Sequence, residues 1–253
     1  MTTNVLRSDR TEVDGVLIHA LVGGVRTEGC PSVILLPGLS ISSRYMAPLA
    51  AELAGWAHVA ALDFPGFGRS GKPRSVLDIP GLAAATAGWL DATDVRHAIL
   101  VGNSVGSQVA VDLAARFPDH AAGLVLTGLA LGGQRRGPWS QIGRALVDIP
   151  REPVALWPMQ ARDFIAAGPR RVIQTFRLAM SDRIGTQVPN VTAPTLVVEG
   201  SHDPLDDPDW NQVLVATLPR GRFAHIAGGT HALPMSRPRE LAALIRSFVG
   251  DIE

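Results

Sequence analysis

Leu100-Val101-Gly102-Asn103-Ser104-Val105-Gly106-Ser107 is the stretch on which the reading of this chain turns. The residues before it, His97–Val101, form a short continuous apolar run that reads as a strand. The residues after it, Val105–Phe117, carry a helical pattern. Ser104 therefore stands where a strand turns sharply into a helix, with Gly102 and Gly106 two residues away on either side. So tight a turn needs small neighbours, because only they let one backbone approach another. In that context G-x-S-x-G lifts a serine hydroxyl above the sheet edge and sets helix N-terminal N–H groups beside it. The alternative is a small residue in a glycine-rich turn, and the rest of the chain must choose between the two.

A serine hydroxyl is a poor nucleophile until a base takes its proton and an acid orients that base. On this fold pattern the acid and the histidine follow the serine in that order. Strand Thr195–Val198 leads into Gly200-Ser201-His202-Asp203-Pro204, and strand Arg222–Ile226 into Ala227-Gly228-Gly229-Thr230-His231. Asp203 and His231 thus each follow a strand, at the carboxyl edge where open parallel sheets bind ligands. Ser104, Asp203 and His231 are the candidate catalytic residues. Asp206, Asp207 and Asp209 read instead as starters of the helix Pro208–Leu218, where carboxylates suit the helix dipole. His19, His58, His97, His120 and His225 lie in or beside strands and helices and read as structural. His202 adjoins Asp203 and sits near the site without being the base. A developing oxyanion needs donors, and the backbone N–H groups of Val105 and of Leu39, in Pro37-Gly38-Leu39-Ser40, are the candidates. No H-x-x-x-H or H-E-x-x-H pattern suggests a metal, and no cofactor is expected.

Outward from the opening stretch the chain alternates between strand and helix. Strands are predicted near 7–13, 16–21, 32–36, 57–62, 97–101, 124–127, 195–198 and 222–226, with helices over 45–53, 81–90, 105–117, 208–218 and 238–249. The expected fold is α/β: a mostly parallel twisted sheet of about eight strands with helices on both faces. Asp14-Gly15 is a hairpin signal, so the N-terminal edge is expected to be antiparallel. Residues 131–191 break the alternation and offer only helical runs, at Ser140–Val147, Pro153–Ala167 and Arg170–Ser181. The expected organisation is a core of residues 1–131 and 192–253 carrying a helical cap, residues 132–191.

Composition narrows the partner. The 253 residues are 46% hydrophobic, enough for a substantial core, and 23 basic residues balance 23 acidic ones. A neutral chain offers no field for nucleic acid. No run approaches the roughly 20 apolar residues of a membrane span, and the polar N-terminus lacks a leader's apolar stretch. The expectation is a cytoplasmic protein, a monomer or homodimer, acting on a small molecule. A single cysteine, Cys30, excludes an intrachain disulfide.

Five segments together, LLPGLS (35–40), DFPGFGRS (63–70), GNSVGS (102–107), GSHDP (200–204) and GGTHALP (228–234), resemble the α/β-hydrolase fold, serine hydrolase branch, over nearly the whole chain. The resemblance implies a helical lid and a structural rather than catalytic Asp63. Two departures are small: Pro37-Gly38 replaces the common His-Gly, and Gly106-Ser107 the common Gly-Gly. Serine at the elbow sets the chain apart from dehalogenases and epoxide hydrolases, which carry Asp there. Gly-Asn-Ser resembles hydrolases that cleave carbon–carbon bonds of ring-fission products, yet those carry Trp after the histidine where this chain has Ala232. The leading expectation is hydrolysis of a carboxylic ester, thioester or lactone through an acyl-enzyme. Carbon–carbon hydrolysis and a non-hydrolytic lyase or ligand-binding role are the alternatives. Trp139, Leu146, Trp157, Met159, Phe164, Phe176 and Met180 suggest a largely apolar acyl group, and Arg135, Arg136, Arg170 and Arg171 read mainly as a solvated face.

Overall fold

The computed structural model describes residues 5–27, 29–129, 143–144 and 147–252. Eight strands form one sheet in the order β1-β2-β4-β3-β5-β6-β7-β8. They are β1 (Arg7–Val13), β2 (Val16–Gly23), β3 (Val33–Leu36), β4 (Val59–Leu62), β5 (Ala98–Asn103), β6 (Ala121–Thr127), β7 (Thr195–Gly200) and β8 (Gly221–Ile226). The β1–β2 and β2–β4 pairs are antiparallel and all other pairs parallel, as the alternation and the Asp14-Gly15 signal imply. Asp14 and Gly15 both take positive φ, 47° and 76°, which joins Val13 directly to Val16. That two-residue turn matches the twist of the strands it joins.

β3, β4 and β5 are buried at every residue. Their unbroken apolar sequences follow from cover on both faces. On one face lie α2 (Ile79–Ala92) and α3 (Val105–Arg116); on the other lie α1 (Ala47–Leu53) and the C-terminal helix Pro238–Ile252. Asp78 caps α2, its carboxylate accepting from the Gly81 N–H at 2.8 Å. The C-terminal helix buries Leu241, Ile245, Phe248 and Val249 along one stripe.

Between β6 and β7 the chain leaves the sheet. This segment contains α4 (Leu156–Ala167), α5 (Pro169–Ser181) and the short α6 (Ile184–Gln187). The predicted helices over 153–167 and 170–181 correspond to α4 and α5; most of the one predicted over 140–147 lies outside the described residues. After β7 come α7 (Pro208–Thr217), then the short α8 (Leu233–Ser236) and α9 (Pro238–Ile252). Several strands run longer than their apolar runs suggested. β5 continues through Gly102 and Asn103 because both pair with β6, opposite Leu126 and Thr127. Among the described residues no helix is long and apolar enough to cross a membrane.

Candidate active site

Ser104 sits at the carboxyl end of β5 with φ 56° and ψ −116°, a conformation unfavourable to a residue with a Cβ. The surroundings hold it there. Its N–H donates to the Thr127 carbonyl at 2.9 Å, and the Ser107 hydroxyl donates to that same carbonyl at 2.8 Å. The flanking glycines are sterically required. A Cβ on Gly106 would lie 2.0 Å from the Leu36 carbonyl oxygen, and one on Gly102 2.5 Å from backbone of Gly106 and Ser107. Close packing of the α3 N-terminus against β3 and β5 thus explains the G-x-S-x-G spacing.

His231 and Asp203 arrive on the loops after β8 and β7. The His231 Nδ1–H donates to Asp203 Oδ2 at 2.8 Å. The other carboxylate oxygen, Oδ1, accepts from the N–H groups of Leu205 and Asp206 at 2.8 and 3.2 Å, so the acid is fixed by its own turn. The Asp203 side chain is almost wholly buried, while His231 keeps 17% exposure. Burial alone would lower the His231 pKa; the charge and hydrogen bond of Asp203, then Asp148 and Glu152, raise it to about 9. Ser104 and His231 line one cavity. Among the described contacts the serine hydroxyl is not hydrogen-bonded to the imidazole, a contact that often tightens only with substrate in place.

The loop after β3 passes close by. A Cβ on Gly38 would lie 3.5 Å from Ser104 Cβ. Leu39 lines the cavity, and Val105 is the first residue of α3. Among the described residues neither N–H has a protein acceptor, as expected of a helix start and an open loop. Ser40, next in the loop, takes a positive φ of 60°.

The cavity is about 750 Å³. The β3 loop and Tyr45 form one wall; Leu156, Trp157, Phe164 and Ile165 form another. Of the apolar residues singled out from sequence, Trp157 and Phe164 line it, while Met159 packs on the core instead. Trp139, Leu146, Arg135 and Arg136 lie outside the described residues. Arg170 is exposed, and Arg171 donates to the Pro73 carbonyl, so neither reaches the cavity. His202 is exposed and contributes only its N–H, to the Gly229 carbonyl. Asp206 departs from expectation. It is buried, accepts from the Asn211 amide, and burial, then the charge of Asp203, raises its pKa to about 7.

The chain belongs to the alpha/beta hydrolase family. Its profile matches residues 33–244. Among curated proteins the chain is 28% identical to polyketide synthase ThaQ of Burkholderia thailandensis, over 91% of this chain but 12% of that protein. It is 26% identical to the pimeloyl-[acyl-carrier protein] methyl ester esterase of Stenotrophomonas maltophilia strain K279a, over 87% of this chain and 93% of the esterase. Among solved structures it is similar to Est816, described as an N-acyl homoserine lactone degrading enzyme, with TM-score 0.79 and 25% identity over 95% of this chain and all of that one.

The roles of three side chains and one glycine escaped the sequence reading. Asn103, adjoining the serine, is a strut: its amide donates to Thr127 Oγ1 and to the His231 carbonyl, both at 3.0 Å, and accepts from the Tyr45 hydroxyl at 2.9 Å. Asp148 and Glu152 line the cavity from the segment between β6 and β7, and no periodic signal marks them. Gly128 (φ 59°) lets β6 end beneath the imidazole; a Cβ there would lie 2.8 Å from His231 Cε1.

Elsewhere lies a second serine–histidine–aspartate chain. His19 Nδ1–H donates to Asp63 Oδ2 at 2.8 Å, and the Ser8 hydroxyl meets His19 Nε2 at 2.7 Å. Asp63 also accepts from the N–H groups of Ser43 and Arg69. Burial would raise its pKa, but the His19 bond and these two N–H groups outweigh that and lower it. The pair pins the DFPGFGRS loop to β2.

Proposed function

We propose that this protein is a serine hydrolase that cleaves a carboxylic ester, thioester or lactone with a largely apolar acyl part. The observation that carries the reading is the convergence of the strained Ser104 elbow and the Asp203–His231 pair on one cavity. The esterase and lactone-degrading relatives agree with an ester or lactone as substrate.

The proposed chemistry draws on this geometry. In the neutral form of His231, with Nδ1–H committed to Asp203, Nε2 is free to accept a proton. Ser104 Oγ bonds to the substrate carbonyl carbon as its proton passes to Nε2. The carbonyl oxygen becomes an oxyanion, met by the Leu39 and Val105 N–H groups. Collapse breaks the bond to the leaving group, which departs with the proton from His231. Water then attacks the acyl-enzyme, gives a proton to His231, and frees the acid and Ser104. Asp203 holds the tautomer and stabilises the imidazolium throughout. Residues 132–191 act as a cap over this cleft and shape the acyl pocket.

Cavity charge supports the choice of substrate. Among the described residues no Arg or Lys lines it, and its carboxyls are Asp148 and Glu152. That suits neutral acyl groups better than the carboxylate-bearing dienoates of carbon–carbon hydrolysis. The test is a graded panel of p-nitrophenyl esters and lactones with the protein and its Ser104→Ala variant, beside fluorophosphonate labelling. Turnover should fall by roughly three or more orders of magnitude with loss of labelling. Parental turnover in the variant would end the proposal.

A further inference from the structure

We propose that Glu152 is a positioning residue for His231, and that the Asp148–Glu152 carboxyl pair acts electrostatically on its imidazole, so the segment between β6 and β7 completes the catalytic base. This rests on the serine hydrolase reading above and adds a residue to it.

Glu152 grips the His231 loop on both sides of the imidazole. Its Oε1 accepts from the Ala232 N–H and its Oε2 from the Thr230 hydroxyl, both at 2.9 Å. The carboxylate is 9% exposed, so these bonds are made out of water and hold the loop more firmly than surface bonds would. Residues one before and one after His231 are thereby fixed to one side chain. The same segment braces the other two site loops. Arg144 donates to the Pro204 and Asp206 carbonyls beside Asp203, at 2.9 and 3.2 Å. Asp163 accepts from the Ser42 N–H, next to the loop that carries Leu39, at 2.8 Å. The sheet brings the three loops to one edge, and the inserted segment fixes their mutual positions.

Asp148 adds the electrostatic half. It is 6% exposed, and its Oδ1 has no hydrogen-bond partner. Burial, then the charge of Glu152, raises its pKa to about 7. The other titratable groups here are Asp203, bonded to the imidazole, Asp206 behind it, and Tyr45, whose phenol burial holds protonated. Removing the Glu152 charge lets Asp148 ionise more readily, and removing Asp148 leaves Glu152 held by its two donors. Only removal of both takes the charge away.

The experiment follows His231 directly by its imidazole NMR signals, assigned by their loss in His231→Gln, and in parallel by the acid limb of kcat/KM. In Asp148→Asn/Glu152→Gln, which keeps shape and bulk, the His231 midpoint should move to lower pH by on the order of one unit. Each single isosteric variant should move it much less. Glu152→Ala should lower kcat about tenfold or more with KM within about twofold, and Glu152→Gln should recover most of that loss. An unmoved midpoint in the folded double variant, or parental kcat in Glu152→Ala, overturns the proposal. The NMR titration reads His231 whether or not the protein turns over esters. Its failure is thus distinct from failure of the hydrolase reading, which Ser104→Ala decides.

Discussion

Asn103→Ala tests how the elbow and the histidine loop are joined. The Asn103 side chain is 2% exposed and makes three hydrogen bonds, to Thr127 Oγ1, the His231 carbonyl and the Tyr45 hydroxyl. Alanine removes all three and leaves the buried phenol donor without a partner. A net bond is worth about 1 kcal/mol, and an orphaned buried group costs about 1–3 kcal/mol. Thr127 Oγ1 still donates to the Gly102 carbonyl, so its loss is mild. The total is about 3 kcal/mol. Unfolding entropy of about 2.1 cal/mol/K per residue gives about 0.5 kcal/mol/K for 253 residues, hence a Tm lowered by about 6 °C. Thr127→Val, which breaks fewer of these bonds, should lower it by about 2 °C. Thermal unfolding followed by far-UV circular dichroism checks both values. Release of the His231 carbonyl should also lower kcat about tenfold on an ester. A Tm within about 1 °C of the parent would refute the strut.

Three further expectations follow from the site. Asp203→Asn should lower kcat by roughly three to four orders of magnitude, since an amide favours the wrong imidazole tautomer; steady-state ester kinetics report it. His231 has a folded pKa raised to about 9, so the stability it contributes is complete below its ordinary value near 6.5 and is lost as pH rises through 9. Melting temperatures should therefore decline over that window by a few degrees, and the decline should be smaller in His231→Gln. Trp157→Ala should lower kcat/KM about tenfold for the longest esters of a chain-length series and little for acetate, because Trp157 lines the cavity wall.

The legibility of the fold varied with how tightly local physics constrained each element. β3, β4 and β5 were readable because strands covered on both faces must be continuously apolar. Asp14-Gly15 was readable because few residue pairs tolerate two positive φ values. The elbow was readable because backbone closeness forbids any side chain at Gly102 and Gly106. Asp203 and His231, singled out by their chain order after the serine, lie within hydrogen-bonding distance of one another. Asn103 was legible as a neighbour of the serine but not in its use, since its partners lie on β6, on the β8 loop and at Tyr45. Glu152 and Asp148 were invisible for a related reason. The partners of Glu152 are far away in sequence, and nothing in the local pattern around residues 148–152 signals which way a carboxylate faces.

The Ser8–His19–Asp63 chain gives the protein an internal control. A histidine Nδ1–aspartate bond occurs twice in this fold, at 2.8 Å each time, and among the described contacts only Ser8 is also hydrogen-bonded to its histidine. The two sites differ in what surrounds the hydroxyl. Ser8 lies within an ordinary edge strand, whereas Ser104 has a strained backbone and lines a cavity, and among the described residues the N–H groups of Leu39 and Val105 have no protein acceptor. A fluorophosphonate offered to Ser104→Ala meets a complete relay at Ser8 with no cradle for the reacting phosphorus. If the probe is then silent, reactivity in this chain belongs to the backbone that frames the serine, and the relay alone is only a way of tying a loop to a strand.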